Sequence, residues 1–194
     1  MRTERTNLII LEQWILPQGR LELRITQPEV MQLVVDHFKQ DTPIALGVIN
    51  EEATANSLPC LRYATACRII DFFQLDDNTT SFVFEGLHRL RVVATHLVSE
   101  SLWKAQVIRL PDWPSYPLAS EYEVLSTALK YFYEENPDLL ELYPDAQLDD
   151  ANWVSQRWLE VLPIIAQDKQ ALLSQPNCQQ AMSFVLKLII EKQQ

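Results

Sequence analysis

Leu16-Pro17-Gln18-Gly19-Arg20-Leu21-Glu22-Leu23-Arg24-Ile25-Thr26-Gln27-Pro28 is the stretch from which the fold is read. Leu21, Leu23 and Ile25 alternate with Glu22, Arg24 and Thr26, so an extended chain here has one apolar and one polar face. Pro17 and Gly19 supply turn chemistry ahead of this strand. Pro28 behind it suits the first turn of a helix, predicted over 28–40 with Val30, Leu33, Val34 and Phe38 at helical spacing.

The same alternation returns in Thr79–Phe84 and in Leu87–Val98, while the continuous apolar run 43–49 predicts a strand buried on both faces. Gly86, between two strand-like runs, is expected to use a positive φ for a hairpin or bulge. Gly47, inside an apolar strand, marks the close approach of another backbone or a large side chain. Arg24 and Glu85 are charges in strand-like segments, and they are expected to pair across the β structure.

The pattern changes after Leu110–Leu118, which carries Pro111, Pro114 and Pro117 around Trp113 and Tyr116. Beyond it Leu118, Tyr122, Leu125, Leu129 and Phe132 follow helical steps, with Ser120 and Glu123 spaced as a capping box. Asp149 and Asp150 precede a second helix, and Pro176 opens a third with Ala181, Met182, Val185, Leu188 and Ile189 facing inward. The expectation is an α+β chain: a mostly β subdomain over 1–112 with one helix, then a helical bundle over 113–194. Of the net −10, the segment through Trp113 carries −3 and the remainder −7. A strongly negative helical half repels nucleic acid and acidic membranes.

Gly19, Gly47 and Gly86 are the chain's three glycines, too few and too scattered for a phosphate loop or a dinucleotide turn. No apolar run approaches the roughly 20 residues needed to cross a bilayer. Leu8-Ile9-Ile10-Leu11, followed by Glu12, is too short for a secretory core, so the expected location is cytoplasmic. Cys60, Cys67 and Cys178 form no Cys-x-x-Cys pair and read as buried thiols. His88 and His96 stand too far apart to hold one metal without a third partner, so no metal and no cofactor are expected.

Four pieces of the first half resemble, in order, the motifs of the LON domain, the N-terminal substrate-binding domain of Lon proteases. Leu16–Pro28 is similar to its opening Leu-Phe-Pro-Gly-Gly-x-Leu-Pro-Leu-Arg-Ile-Phe-Glu-Pro. Ile44-Ala45-Leu46-Gly47-Val48 resembles its Phe-Gly-Val strand and Tyr63-Ala64-Thr65-Ala66 its Gly-Thr-x-Ala strand. Phe84-Glu85-Gly86-Leu87-His88-Arg89-Leu90-Arg91 resembles its Val-Glu-Gly-x-x-Arg-Phe-Arg stretch. The helical tail to Glu191 fits the bundle that closes such domains. Gln18, Glu22, Thr26 and Ala64 depart from a Gly, Pro, Phe and Gly of the pattern, and Glu29-Val30 from a common Arg-Tyr.

The resemblance implies a PUA-like β pseudobarrel followed by a helical bundle, and a non-catalytic module that binds unfolded or peptide segments. Lon proteases add an ATPase and a protease domain after this region. With 194 residues the chain is expected to have room for neither, and to act in proteolysis as an adaptor or regulator. The motif residues Pro17, Gly19, Arg24, Pro28, Gly47, Thr65, Glu85, Gly86, Arg89 and Arg91 are expected to hold the scaffold. Peptide contact is sought instead at apolar side chains with no evident core place: Trp14, Ile15, Leu16, Trp113 and Tyr116. Packing between the two halves is the plainer use of Trp113. Two alternatives compete with this reading. One is an RNA-binding PUA-like module with Arg62, Arg68, Arg89 and Arg91 on neighbouring strands, against which the acidic balance argues. The other is a hydrolase using Ser57, Cys60 or Cys67, for which no nucleophile elbow or evident base is present.

Overall fold

The computed structural model describes residues 2–55, 57–75, 77 and 79–191. Helix α1 forms over Pro28–Gln40, as its spacing predicts, with Pro28 in the first turn and Val30 and Val34 buried. Glu29 lies at its positive end and His37 and Lys39 at its negative end, so charge and helix dipole agree. The alternating stretch that precedes it is strand β2, Arg20–Ile25.

Strand β1 spans Glu4–Leu11, β3 Ile44–Ile49, β4 Cys60–Gln74, β5 Thr80–Ser99 and β6 Leu102–Arg109. The sheet order is β2-β5-β4-β3-β1-β6, and β6 also pairs with β5, which closes five strands into a ring and leaves β2 flanking β5. All pairings are antiparallel except β1 with β3, whose connection runs through β2 and α1. This is the expected α+β pseudobarrel. Strand β3 explains its own apolar run: Ile44 and Leu46 enter one core with Val30, Val34, Phe82 and Phe84, while Ala45 enters another with Leu8, Leu90, Val92 and Val107.

The two sequence runs around Gly86 are one continuous strand. Gly86 pairs with Cys67 and His88 with Ala66, so Leu87 is the extra residue of a bulge. No described glycine has a positive φ, so the bulge forms without the left-handed conformation expected of Gly86. At Gly47 the expectation of a close approach holds, since a Cβ there would meet Leu8 Cδ1 at 3.1 Å.

Chain contacts separate two units, Met1–Pro111 and Asp112–Gln194. The second unit contains α2 (Glu123–Glu134), α3 (Pro137–Leu142), α4 (Ala151–Val161), α5 (Ala166–Leu173) and α6 (Gln179–Glu191). Helix α4 is its centre, buried from Ala151 through Leu159 and packed on α2 and α6. Asp150 caps it by accepting from the Trp153 N–H at 3.0 Å. The Ser120–Glu123 capping box does not form. Ser120–Tyr122 is a single 3-10 turn, and α2 starts from Tyr122 with no side-chain cap. No described helix is long and apolar enough to cross a membrane.

Candidate functional site

Four of the motif residues, Pro17, Gly19, Thr65 and Gly86, meet in one knot. Pro17 and Gln18 form a turn closed by the Gly19 N–H on the Leu16 carbonyl at 2.8 Å, with Gln18 at φ 61°. The turn docks on β5 through two reciprocal bonds, Gln18 N–H to Gly86 carbonyl at 2.7 Å and Gly86 N–H to Gly19 carbonyl at 2.9 Å. A Cβ on Gly86 would lie 2.2 Å from the Leu16 carbonyl oxygen, so the approach requires glycine. Thr65, buried in β4, donates its hydroxyl to the Ile15 carbonyl at 2.6 Å. Glu85 sits beside the knot and accepts from Arg68 at 2.9 Å and Arg20 at 3.5 Å. Arg24 pairs instead with Asp77 at the surface, which corrects the expected Arg24–Glu85 pair. The register explains this: Arg24 stands opposite Ser81 and Glu85 opposite Arg20, at the two ends of β2.

Among the apolar candidates, Ile15 and Leu16 are buried, Ile15 inside the core beneath α1, and Trp14 is partly buried. Trp113 and Tyr116 fall in the second unit. Trp113 is buried, donating its indole N–H to the Gln175 carbonyl at 2.7 Å, and Tyr116 is exposed. The burial of Ile15, Leu16 and Trp113 takes three of the five side chains off the surface.

Arg89 is buried and donates to the Pro111 carbonyl at 2.6 Å, and Arg68 is engaged by Glu85, so the four arginines do not present one open cationic stripe. All three cysteines are buried, and burial pushes the Cys60 thiol up to about 11. The Cys67 thiol donates to the Thr65 carbonyl at 3.5 Å, and Ser57 bonds the Thr54 carbonyl in its own turn.

An apolar groove of about 470 Å³ opens in the first unit. One wall is Ile9, Ile10 and Leu11 of β1, and another is Leu23, Arg24 and Ile25 of β2. Val30 of α1, Ile49 at the end of β3, and Trp103 after the β5–β6 turn add further apolar side chains, and Gln27, Pro59 and Ser101 also line it. Ile49 is 43% exposed, so an apolar side chain on this lining is open to solvent. Arg24 and Glu100 are the charged residues of the lining. These positions lie far apart in sequence, and no local pattern joins them.

The second unit has a larger hollow of about 670 Å³ lined mainly by polar and acidic groups, including Glu123, Asp149 and Asp150 beside Tyr116. Two backbone bonds join its segments, Leu118 N–H on the Asp149 carbonyl at 2.7 Å and Ala151 N–H on the Tyr116 carbonyl at 2.9 Å. Deeper in this unit lies an ion pair that the sequence pattern does not announce. Arg157, fully buried, grips Glu160 through Nε at 2.7 Å and Nη2 at 2.9 Å. Its guanidinium lies 5.4 Å from the Trp153 ring centre and 5.8 Å from that of Tyr143. Burial alone would pull the guanidinium down, but Glu160 and the tyrosines outweigh it and its pKa is raised. Burial also pushes the Lys169 amine down to about 8, against the opposing pull of Glu160.

Comparisons with known proteins agree with this architecture. Residues 6–191 match the family model of the ATP-dependent protease La (LON) substrate-binding domain. The chain is 27% identical over 190 residues to Lon protease 2 of Myxococcus xanthus, covering 92% of this chain and 22% of that protein. It therefore spans about a fifth of the length of this curated relative. Its fold is that of a Lon N-terminal domain protein from Xanthomonas campestris, with TM-score 0.71, 23% identity, and 95% and 98% of the two chains covered. The N-terminal domain of the Mycobacterium avium complex Lon protease matches with TM-score 0.62 at 10% identity, over 95% and 97% of the two chains. With the family match running over nearly the whole chain, and the barrel and helices of the Lon N-terminal fold in place, the chain belongs to the family of LON substrate-binding domains.

Proposed function

We propose that this chain is a non-catalytic module that binds unfolded or extended polypeptide segments in the apolar groove of its first unit, acting as an adaptor or regulator of proteolysis. The observation that carries the reading is the groove itself. Behind it stand the core side chains Ile9, Ile25 and Val30, while Ile10, Leu11, Leu23 and Trp103 are partly buried and Ile49 is open to solvent. Folded proteins keep such side chains inside, so a site of this composition selects chains that have lost their cores. The family match supports the polypeptide as ligand, since its members are described as substrate-binding domains of a protease. The segment through Trp113, which carries the groove, has a net charge of −3 and favours neutral or basic segments over acidic ones.

The test compares one protein in two states. A reduced, carbamidomethylated polypeptide, whose blocked cysteines carry no charge, and its folded, disulfide-intact form are titrated separately against the intact chain. Saturable binding of the unfolded form alone is expected. Equal binding of both forms, or of neither, contradicts the reading. No specific observation favours RNA, because Arg68 and Arg89 are spent on contacts inside the first unit.

A further inference from the structure

The groove has a second property, which concerns how a peptide would lie in it, and the inference drawn from it rests on the reading above. Strand β2 pairs with β5 from Arg20 opposite Glu85 to Ile25 opposite Thr80, and among the described residues no other strand pairs with it. Three consecutive residues of β2, Leu23, Arg24 and Ile25, line the groove. An edge strand presents alternate backbone N–H and C=O groups, and these are met most simply by another extended chain at strand spacing. The charges on β2 are met within its own unit. Glu22 accepts from the Ser81 hydroxyl at 2.6 Å, and Arg24 is paired with Asp77. The edge therefore asks for backbone rather than for a particular side-chain charge.

From this arrangement we infer that the occupant is an extended, alternating apolar polypeptide segment of neutral or basic charge, bound as an added β-strand along β2. Its backbone hydrogen-bonds the β2 edge, and alternate side chains enter the apolar lining formed by Leu11, Ile49 and Trp103. Backbone pairing is blind to sequence, which suits a site that must accept many unfolded chains. Charge favours such a segment over an acidic one, because Arg24 is already met by Asp77 while Glu100 adds a negative charge to the lining, and the segment through Trp113 is itself at −3.

The test uses a short capped peptide alternating Val and Thr between terminal lysines, together with two N-methylated versions. Each version removes every second backbone donor, in one phase or the other. Titrations against the intact chain are read with amide hydrogen exchange over Leu21–Ile25. The expected result is binding of the unmodified peptide and slowed exchange of alternate β2 amides. Affinity should fall about tenfold or more for one methylation phase and change little for the other. Binding that ignores both phases and leaves β2 exchange unchanged overturns strand addition while sparing the groove as a peptide site. Failure of the unmodified peptide to bind overturns both readings. Protection of β2 that rises with protein concentration in the absence of peptide shows a second copy on this edge and overturns the assigned occupant.

Discussion

Gln18 occupies the second central position of the Leu16–Gly19 turn, after Pro17, at φ 61°. A turn with proline first and a left-handed residue second is normally completed by glycine, and the family pattern has glycine there. A side chain in that conformation costs about 1 kcal/mol, partly offset because glycine makes the unfolded chain more flexible. Gln18→Gly is therefore expected to stabilise by about 0.5 kcal/mol, read as a higher urea midpoint at unchanged slope. Gly86→Ala is expected to do the opposite, by about 3 kcal/mol, because its methyl would meet the Leu16 carbonyl at 2.2 Å in two segments held by reciprocal bonds. Sequence reading located both residues but assigned the left-handed backbone to the wrong one. Gly86 is glycine for want of room, which only the neighbouring segment reveals.

Lys169 makes a third case at this scale. The residue is 3% exposed, and its amine donates to the Leu162 carbonyl at 3.3 Å and has its pKa lowered by burial from 10.5 to about 8. The unfolded chain thus binds this proton more tightly than the folded one. Below about pH 8 both states are protonated and the full cost of burying the charge is present. Between pH 8 and 10.5 the folded state alone gives up the proton, and the cost is relieved. Against Lys169→Met as reference, the parent chain should gain stability over that window, by up to about 3 kcal/mol. A stability difference that stays flat with pH would show the amine to be well solvated.

At the scale of elements, periodicity is informative where an element has one clear face. Helix α1, strand β2 and the doubly buried β3 were all legible from spacing alone. Helices α3 and α5, of 6 and 8 residues, are too short to establish a stripe and were not read. Ser120 and Glu123 have capping-box spacing but are separated by a 3-10 turn, so Glu123 begins α2 instead of closing on its cap. The two caps can be told apart by substitution. Asp150→Ala should cost about 1 kcal/mol through loss of the bond to the Trp153 N–H, whereas Ser120→Ala should change stability by no more than a few tenths. Equal costs in thermal unfolding would mean that α2 is capped by Ser120 after all.

At the scale of the whole molecule, the fold was legible because its motifs are backbone devices. The turn at Pro17, the threonine hydroxyl on the Ile15 carbonyl and the close contact at Gly86 each leave a residue-type signature in the chain. A groove leaves none. Ile9–Leu11, Leu23, Ile49 and Trp103 read individually as strand residues, and three-dimensional closure alone brings them together. The apolar residues singled out for lacking a core place include three that have one, since apolar character does not distinguish packed from open. Because Ile49 is 43% exposed, it can be changed with little cost to folding, and it sits on the lining of the proposed site. The most direct test is an equilibrium titration of a reduced, carbamidomethylated polypeptide against the parent chain and Ile49→Glu, with unfolding midpoints measured in parallel. For Ile49→Glu an affinity lower by about tenfold is expected, from burying a charge in an apolar contact, at a nearly unchanged midpoint. Equal affinity of the two chains for the unfolded polypeptide would contradict the groove as the binding site.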